Sequence, residues 1–175
     1  MCIRDRSRRA APPEGLAPFQ GTSASRTRGD CVTNAAMRQH QEEFRYATNG
    51  RGIYEITSEV RQVLERSEIQ LGQVTVFCQH TSASLVIQEN ADPTAAADLL
   101  AWLDRLAPAS YGNYTHTAEG PDDMPSHLRS AITKTSETIP VDEGLLSLGT
   151  WQGIYLLEHR DIAHTRNLVV HVIGE

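Results

Sequence analysis

The chain has 175 residues, a length that suits a single domain, and 39% of them are hydrophobic, which is enough to supply a core. No apolar stretch approaches the ~20 residues of a membrane-spanning helix, so we expect no membrane partner. The net charge is −6. Residues 37–175 are more acidic still, because residues 1–36 carry more Arg than acids. An acidic surface repels phosphate backbones, which argues against nucleic acid as a partner.

Residues 1–36 differ in composition from the rest of the chain. They are rich in Arg, Ser, Pro, Gly and Ala and have almost no periodic apolar pattern. Such a segment cannot bury enough surface to offset its ordering entropy. We therefore expect residues 1–36 to be a disordered or artefactual leader, translated from upstream or adaptor sequence, with Met37 as the natural start of a domain over 37–175. An Arg-rich transit peptide is the alternative.

The cysteines and the first residues bear on the cellular compartment. Cys2, Cys31 and Cys78 are odd in number and form no recognisable framework, which argues against disulfide bonds. The first residues lack the apolar middle region of a secretory signal. A reduced, cytoplasmic setting is the simplest interpretation.

The first patterned elements are a strand and a helix. Alternation of Phe44 and Tyr46 with charged neighbours predicts a half-buried strand. Thr57 or Ser58 is predicted to cap a helix that ends near Ser67. The buried face of this helix is predicted to carry three apolar side chains: Val60, Val63 and Leu64.

Two strands and a second helix are predicted next. The strands cover residues 72–79 and 84–88, which are rich in β-branched and aromatic side chains. Asp92 followed by Pro93 predicts a helix cap with proline at the first helical position. The apolar stripe of this helix is predicted to lie in the core, and it comprises Leu99, Trp102, Leu103 and Leu106.

The last part of the chain is predicted to hold a third helix and several strands. The helix begins at Pro125 and ends near Ile132. The predicted strands cover residues 139–141, 145–148, 154–158 and 168–173. Residues 142–144, Asp-Glu-Gly, predict a hairpin turn between the first two of these strands. Because strands come in adjacent runs between helices, we predict an α+β fold with mostly antiparallel sheets and three helices.

A stretch over residues 113–127 has an unusual density of metal-binding side chains. It contains His116, His127 and three carboxylates, and His80 follows the apolar strand 72–79. Imidazole is the commonest side-chain ligand of borderline metals. We predict that the three histidines bind one divalent metal, zinc or magnesium, and leave a position open. Their spacing matches none of the well-known zinc signatures, so the alternative is surface or capping histidines.

Three sequence strings carry a resemblance to a known family. In order along the chain they read HTSASLVIQENADP, EGPDDMPSH and LGTWQGIYLLEHR, and the similarity continues to the closing VIGE. They closely resemble the YjbQ-like family, the secondary thiamine-phosphate synthases. The resemblance implies a compact α+β fold, a homotrimer, a metal-binding histidine cluster and a weak thiamine-phosphate synthase activity. The matching positions are His80, Glu89, Asn90, Asp92, His116, Glu119, Gly120, Asp123, His127, Gly149, Thr150, Trp151, Gln152, Gly153, Glu158 and Arg166.

The implied reaction suggests roles for three of these residues. It joins a pyrimidine diphosphate to a thiazole phosphate and expels pyrophosphate, so negative charge on the leaving group must be stabilised. We predict Glu89 as a general acid or base, Asp123 as the partner that orients an imidazole, and Arg166 as a phosphate ligand. The alternatives are a solvated carboxylate for Glu89, a helix cap for Asp123 and a surface ion pair for Arg166.

The remaining candidates would contact the substrate, a phosphorylated small molecule. They are Asn90, Asp92, Glu119, Gly120, Thr150 and Gln152. Trp151 lies between two glycines and either forms a pocket wall or packs in the core or at a subunit interface. Two other functions stay open, a metal-assisted hydrolase and a non-catalytic module that binds a metal or a phosphorylated metabolite.

Overall fold

Two antiparallel sheets and three helices make up residues 36–175, the part of the chain that this computed structural model describes. The predicted leader, apart from its last residue, lies outside the described residues. The strands are β1 (Arg38–Ala47), β2 (Gly52–Glu55), β3 (Gly72–Cys78), β4 (Ala83–Glu89), β5 (Ser136–Asp142), β6 (Leu145–Leu146), β7 (Gln152–Glu158) and β8 (Thr165–Gly174). The helices are α1 (Thr57–Ser67), α2 (Pro93–Leu106) and α3 (Asp123–Ile132).

The strand order brings distant parts of the chain together. One sheet has the order β1-β8-β3-β5-β6, the other the order β2-β7-β4, and all of these neighbours are antiparallel. In the second sheet Ala83 at the start of β4 pairs with Glu158, and Glu89 at its end pairs with Gln152. The predicted α+β fold with mostly antiparallel sheets and three helices is therefore confirmed.

Helix α1 closes the core between the two sheets. Its side chains Val60, Val63 and Leu64 are buried, as their spacing predicts, and they join apolar residues from both sheets. The prediction of a side-chain cap at Thr57 or Ser58 is wrong. Thr57 is the first helical residue, and its hydroxyl donates to Glu55 at 2.9 Å while it accepts from a backbone N–H of β7.

Helix α2 begins as predicted but is less buried than predicted. The Asp92 carboxylate caps it by accepting from the Thr94 N–H at 2.8 Å, with Pro93 at the first position. Of the predicted core stripe only Leu103 is fully buried, while Trp102 and Leu106 are about half exposed, at 48% and 52%. None of the described helices is both long and apolar enough to cross a membrane.

Helix α3 is anchored to the start of β4 and the end of β7. The Ser130 hydroxyl donates to the Ala83 carbonyl at 3.1 Å, and the Ser126 hydroxyl donates to the His159 carbonyl at 2.9 Å. The buried Arg129 donates to the Ala107 carbonyl at the end of α2, at 2.8 Å. These bonds fix the first turn of α3 beside the connection between β3 and β4.

Candidate metal centre

The first turn of α3 and the loop before it bring three metal-binding side chains together. Asp123 and His127 are four residues apart on α3, a spacing that places both on one helix face. His116 comes from the connection of residues 107–122 between α2 and α3. One ligand atom from each of the three lies within 4.8 Å of the others, and the two imidazole rings are 5.5 Å apart.

The Asp123 carboxylate has the properties of a metal ligand. The residue is 1% exposed, and its Oδ2 lies 2.8 Å from His116 Nε2 and 3.4 Å from His127 Nε2. The approach of His116 falls outside hydrogen-bond geometry, so this buried oxygen has no hydrogen-bond partner among the described residues. Lone pairs this close repel unless a proton on the imidazole or a metal cation lies between them. A tetrahedral zinc ion with bonds of about 2.1 Å separates its ligands by roughly 3.4 Å. The distance between Asp123 and His127 matches that separation, whereas the 2.8 Å between Asp123 and His116 is shorter and is the length of an ion pair.

The backbone of Thr81 sets the orientation of His127. Nδ1 of His127 lies 2.9 Å from the Thr81 carbonyl, which only accepts hydrogen bonds, so Nδ1 carries the proton and donates. In the neutral imidazole the lone pair is then on Nε2, which lies 3.4 Å from Oδ2 of Asp123. Such a hydrogen bond to the distal ring nitrogen is the usual support of a histidine ligand.

Arg160 connects the loop to the helix. Its guanidinium donates to Oδ1 of Asp123, to Oδ2 of Asp122 at 2.9 Å and to the Glu119 carbonyl at 2.8 Å. Although burial lowers the pKa of Arg160, the hydrogen bond to Asp122 and the neighbouring carboxylates raise it, so the group stays charged. Gly120, with φ of 110°, makes the turn between Glu119 and these aspartates. Arg160 thus donates its hydrogen bond to Oδ1 of Asp123 and leaves Oδ2 facing the two histidines.

We expect Arg160→Met to weaken divalent metal binding by about 10- to 100-fold, because partners that orient ligands carry that share of metal affinity. The loss of Arg160 frees Asp123 to rotate and removes the bridge to the loop that carries His116. Calorimetric titration of chelator-stripped protein with Zn²⁺ measures the effect. Arg66→Met is the matched control, because Arg66 makes a comparable paired contact with Glu42 on the surface. Equal affinities for the two variants would contradict the role of Arg160.

His80 occupies a different environment from the other two histidines. Its Nε2 accepts the Asn167 N–H at 2.7 Å, and it is not part of the group within 4.8 Å. Burial, and then the charge of Arg166, lower the pKa of His80 and keep it neutral. Within one chain the structure therefore brings together two of the three predicted histidines. Convergence of His80 on the same ion stays a prediction.

Arg166 forms a buried ion pair with Glu158. Its Nε donates to Oε2 of Glu158 at 2.7 Å, and its Nη2 donates to the other carboxylate oxygen. Arg166 is 4% exposed and Glu158 is fully buried, so this is not the surface ion pair considered from the sequence. Burial raises the pKa of Glu158, but the bonds from Arg166 outweigh it and lower that pKa. A phosphate-binding role for Arg166 stays a prediction.

The other candidates divide between the two ends of β4. Glu119 and Gly120 lie beside the centre through Arg160, whereas Glu89, at the end of β4, pairs with Gln152. The far end also holds Asn90 and Thr150, with Asp92 as the cap of α2. Strand β4 spans seven residues, so its ends are about 20 Å apart. Trp151 is 64% exposed in this chain, so it does not pack in the core of the chain.

His159 is a buried histidine near the anchor of α3. It is 1% exposed, and its Nε2 lies 2.7 Å from the Ser84 hydroxyl. Burial, followed by the charge of Arg129, lowers the pKa of His159 to about 4. The imidazole is therefore neutral in the folded chain, because burial makes the charged, protonated form unfavourable.

This histidine gives a signed prediction for stability against pH. Between pH 6.5 and 4 the unfolded chain takes up a proton at residue 159 and the folded chain does not. As the pH is lowered from 6.5 to 4, the free energy of unfolding should therefore fall by about 1.4 kcal/mol per pH unit, and by about 3 kcal/mol over the whole range. Urea denaturation in a chelator measures it. His159→Gln should flatten the slope by about one proton, and an unchanged slope would rule out His159 as its source.

Comparisons with known proteins agree on one family. The family model "UPF0047 protein YjbQ-like" matches residues 42–175. A UPF0047 protein of Synechocystis is 50% identical over 141 residues, which cover 81% of this chain and 96% of that protein. UPF0047 protein YjbQ of Escherichia coli O157:H7 is 39% identical over 137 residues, covering 78% of this chain and 99% of YjbQ.

Solved structures support the same assignment. A protein of unknown function from Sulfolobus solfataricus superimposes with a TM-score of 0.75 at 26% identity, covering 80% of this chain and 100% of that one. An uncharacterised family protein of Clostridium acetobutylicum gives a TM-score of 0.69 at 35% identity, covering 75% and 98%. The chain therefore belongs to the YjbQ-like, or UPF0047, family.

Proposed function

We propose that the chain is a divalent-metal-dependent enzyme that acts on phosphorylated small molecules. The observation that carries the proposal is the convergence of His116 and His127 on Oδ2 of Asp123, which is buried and has no hydrogen-bond partner in the part of the chain that the structure describes. Two imidazoles and one carboxylate suit zinc better than magnesium, which prefers oxygen ligands and water. A set of three protein ligands leaves a position open, as catalytic sites do and structural sites do not.

The specific activity that we propose is thiamine-phosphate synthesis, as a weak activity. A bound divalent cation would supply Lewis-acid stabilisation of the charge that gathers on pyrophosphate as it leaves. The chain's own residues prepare the position for that cation. Thr81 fixes which nitrogen of His127 is free, Arg160 holds the inner oxygen of Asp123, and the buried position of Asp123 keeps water from competing for Oδ2.

Hydrolysis is the second candidate, and one observation favours it. The His116 side chain is 48% exposed, so the centre of a single chain is open to water. Transfer of the pyrimidine group to the thiazole phosphate, with loss of pyrophosphate, is usually protected by exclusion of water, because water would otherwise take the place of the thiazole. An open centre instead suits activation of a water molecule, and the natural substrate would then be another phosphoester.

Pyrophosphate release separates the candidates. Chelator-stripped protein is reloaded with zinc and given the pyrimidine diphosphate with and without the thiazole phosphate. Release that requires the thiazole phosphate supports the synthase, and release without it supports the hydrolase. Metal binding with no turnover, on these compounds and on a phosphoester panel, leaves a non-catalytic binding module. His116→Ala should abolish any turnover, and His40→Ala is the control because His40 lies on β1 and pairs with Glu42.

The remaining parts of the proposal concern assembly and location. We propose a homotrimer in the cytoplasm, as the resemblance and the cysteine content suggest. The half-exposed Trp102 and Leu106 on α2 favour association, because an exposed apolar stripe is usually covered by a neighbour. Light scattering at micromolar concentration should give about three times the chain mass. A monomer would remove the trimer from the proposal.

A further inference from the structure

The connection between β3 and β4 is held from two sides. On one side the Thr81 carbonyl accepts the Nδ1–H of His127 on α3, at 2.9 Å. On the other side the following carbonyl, that of Ser82, accepts from Nη2 of Arg166 on β8, at 3.4 Å. Peptide groups are planar, so only the two backbone dihedrals of Ser82 separate these carbonyls. The direction of the Thr81 carbonyl, and with it the orientation of His127, therefore depends on the contact with Arg166.

The connection after β7 is held by the partner of Arg166. Oε1 of Glu158, one of the two oxygens that Arg166 contacts, accepts the backbone N–H of Arg160 at 2.9 Å. The guanidinium of Arg160 in turn donates to Oδ1 of Asp123. Because Arg160 is only two residues beyond Glu158, the buried carboxylate fixes the backbone from which that guanidinium extends. The orientation of Asp123 therefore depends on Glu158.

The Arg166–Glu158 pair thus links the supports of two metal-binding side chains. A buried ion pair is weak evidence for stability, because apolar residues of similar volume often replace one without loss. Apolar residues, however, cannot donate to the Ser82 carbonyl or accept from the Arg160 N–H. The planar guanidinium also fixes the geometry of its contact with a carboxylate more narrowly than an ammonium would. These properties suit a pair that holds two chain segments in one relative position.

We propose that Arg166 and Glu158 are positioning residues of the metal centre, one acting on His127 and the other on Asp123. Neither residue touches the metal ion in this role, and each fixes the group that orients a ligand. The expected effect on zinc affinity rests on the proposed metal function, whereas the orientation of His127 in the metal-free chain does not. The role differs from a contribution to stability alone, because it predicts changes at His127 in variants that stay folded.

Two variants and one control separate positioning from stability. Arg166→Lys keeps a positive charge beside Glu158 but loses the planar fork that contacts Glu158 and Ser82 together. Glu158→Leu combined with Arg166→Met removes both supports and keeps the site filled with apolar atoms. If the double variant does not fold, Arg166→Lys decides the question. Leu64→Ala is the control, because it removes buried side-chain atoms from α1, a helix that takes part in none of these bonds.

The tautomer of His127 reports its orientation without a metal. Nitrogen-15 NMR of the imidazoles in a chelator, at about pH 8 where imidazole is neutral, gives the share of His127 that carries its proton on Nδ1. The signal is assigned by its absence in His127→Gln. Wild type and Leu64→Ala should hold the Nδ1–H form, whereas Arg166→Lys should give a mixture of both tautomers. Calorimetric titration should show zinc affinity about 10-fold lower in Arg166→Lys and lower still in the double variant.

The outcomes distinguish this role from the metal function. A mixture of tautomers in Arg166→Lys, with the Nδ1–H form kept in Leu64→Ala, supports positioning. The wild-type tautomer and zinc affinity in folded Arg166→Lys overturn it, and the pair is then structural only. Equal losses in Leu64→Ala also overturn it, because ligand geometry then follows global stability. If the wild-type chain binds no zinc, the proposed metal function fails, and the tautomer still decides whether the pair positions His127.

Discussion

Asp123→Asn should lower the affinity for Zn²⁺ by more than ~100-fold, a larger loss than for Arg160→Met, because it removes a ligand rather than a supporting residue. The amide has almost the same shape as the carboxylate but lacks the negative charge that the centre presents to a cation. The same change replaces the charged acceptor of Arg160 at Oδ1 of residue 123 with a neutral amide oxygen, which weakens that contact. We therefore expect a measurable loss of stability in the metal-free protein as well.

The measurement is calorimetric titration of stripped protein with Zn²⁺, with urea denaturation in a chelator beside it. Asp92→Asn is the matched control, because Asp92 is an exposed aspartate that caps α2 at the other end of β4. It should change stability little, because Asn also caps helices well, and it should leave zinc affinity unchanged. Wild-type zinc affinity in Asp123→Asn would show that the convergence of the two imidazoles on Asp123 is a structural hydrogen-bonding arrangement.

Arg166→Met should reduce the free energy of unfolding by about 3–5 kcal/mol. Glu158 is fully buried, and without Arg166 its remaining donors among residues 36–175 are the Thr48 hydroxyl at 2.9 Å and the Arg160 N–H at 2.9 Å. The cost comes from the unpaired carboxylate, so Glu158→Gln combined with Arg166→Met should recover part of the loss. The stability that the pair contributes is present above the unfolded pKa of Glu158 and falls as pH drops through its lowered folded pKa.

Urea denaturation at pH 7 in a chelator measures these changes. Arg66→Met is again the control, because it breaks an exposed pair with Glu42 and should change stability far less than Arg166→Met. If Arg166→Met costs as little as Arg66→Met, then solvent reaches Glu158 and the pair is not a structural one. Zinc affinity measured on the same variants shows whether the pair also affects the metal centre.

Local sequence patterns predicted the elements well because the forces that form them are local. Alternation and β-branched side chains placed the strands, and Asp92 with Pro93 placed the start of α2. The hairpin between β5 and β6 turns at Glu143 and Gly144, both with positive φ, as the Asp-Glu-Gly sequence predicts. Helix periodicity identified the apolar stripe of α2, but it carries no information on whether another element covers that stripe. In this structure Trp102 and Leu106 stay about half exposed, which the periodicity could not predict.

The site was predicted only in part because its contacts join distant residues. Asp123 and His127 share a helix face, so their proximity follows from their spacing. The bond from Arg160 to Asp123 spans 37 residues and depends on how α3 is anchored to the end of β7. One signal for it was present, since Arg160 ends the string LLEHR that carries the family resemblance. Nothing in the sequence alone indicates that Asn167 occupies Nε2 of His80.

The loop of residues 107–122 has a consequence for local motion. Within it, the backbone N–H groups of Tyr111 and Gly120 donate to carbonyls three residues earlier, and such local bonds do not tie the loop to another element. Arg160 holds one end of the loop, and a cation shared by His116 and Asp123 would hold the middle. A bound metal would then make the loop of residues 107–122 open less often. Slower amide hydrogen exchange at residues 113–120 on zinc addition would report it, while β8 would exchange unchanged.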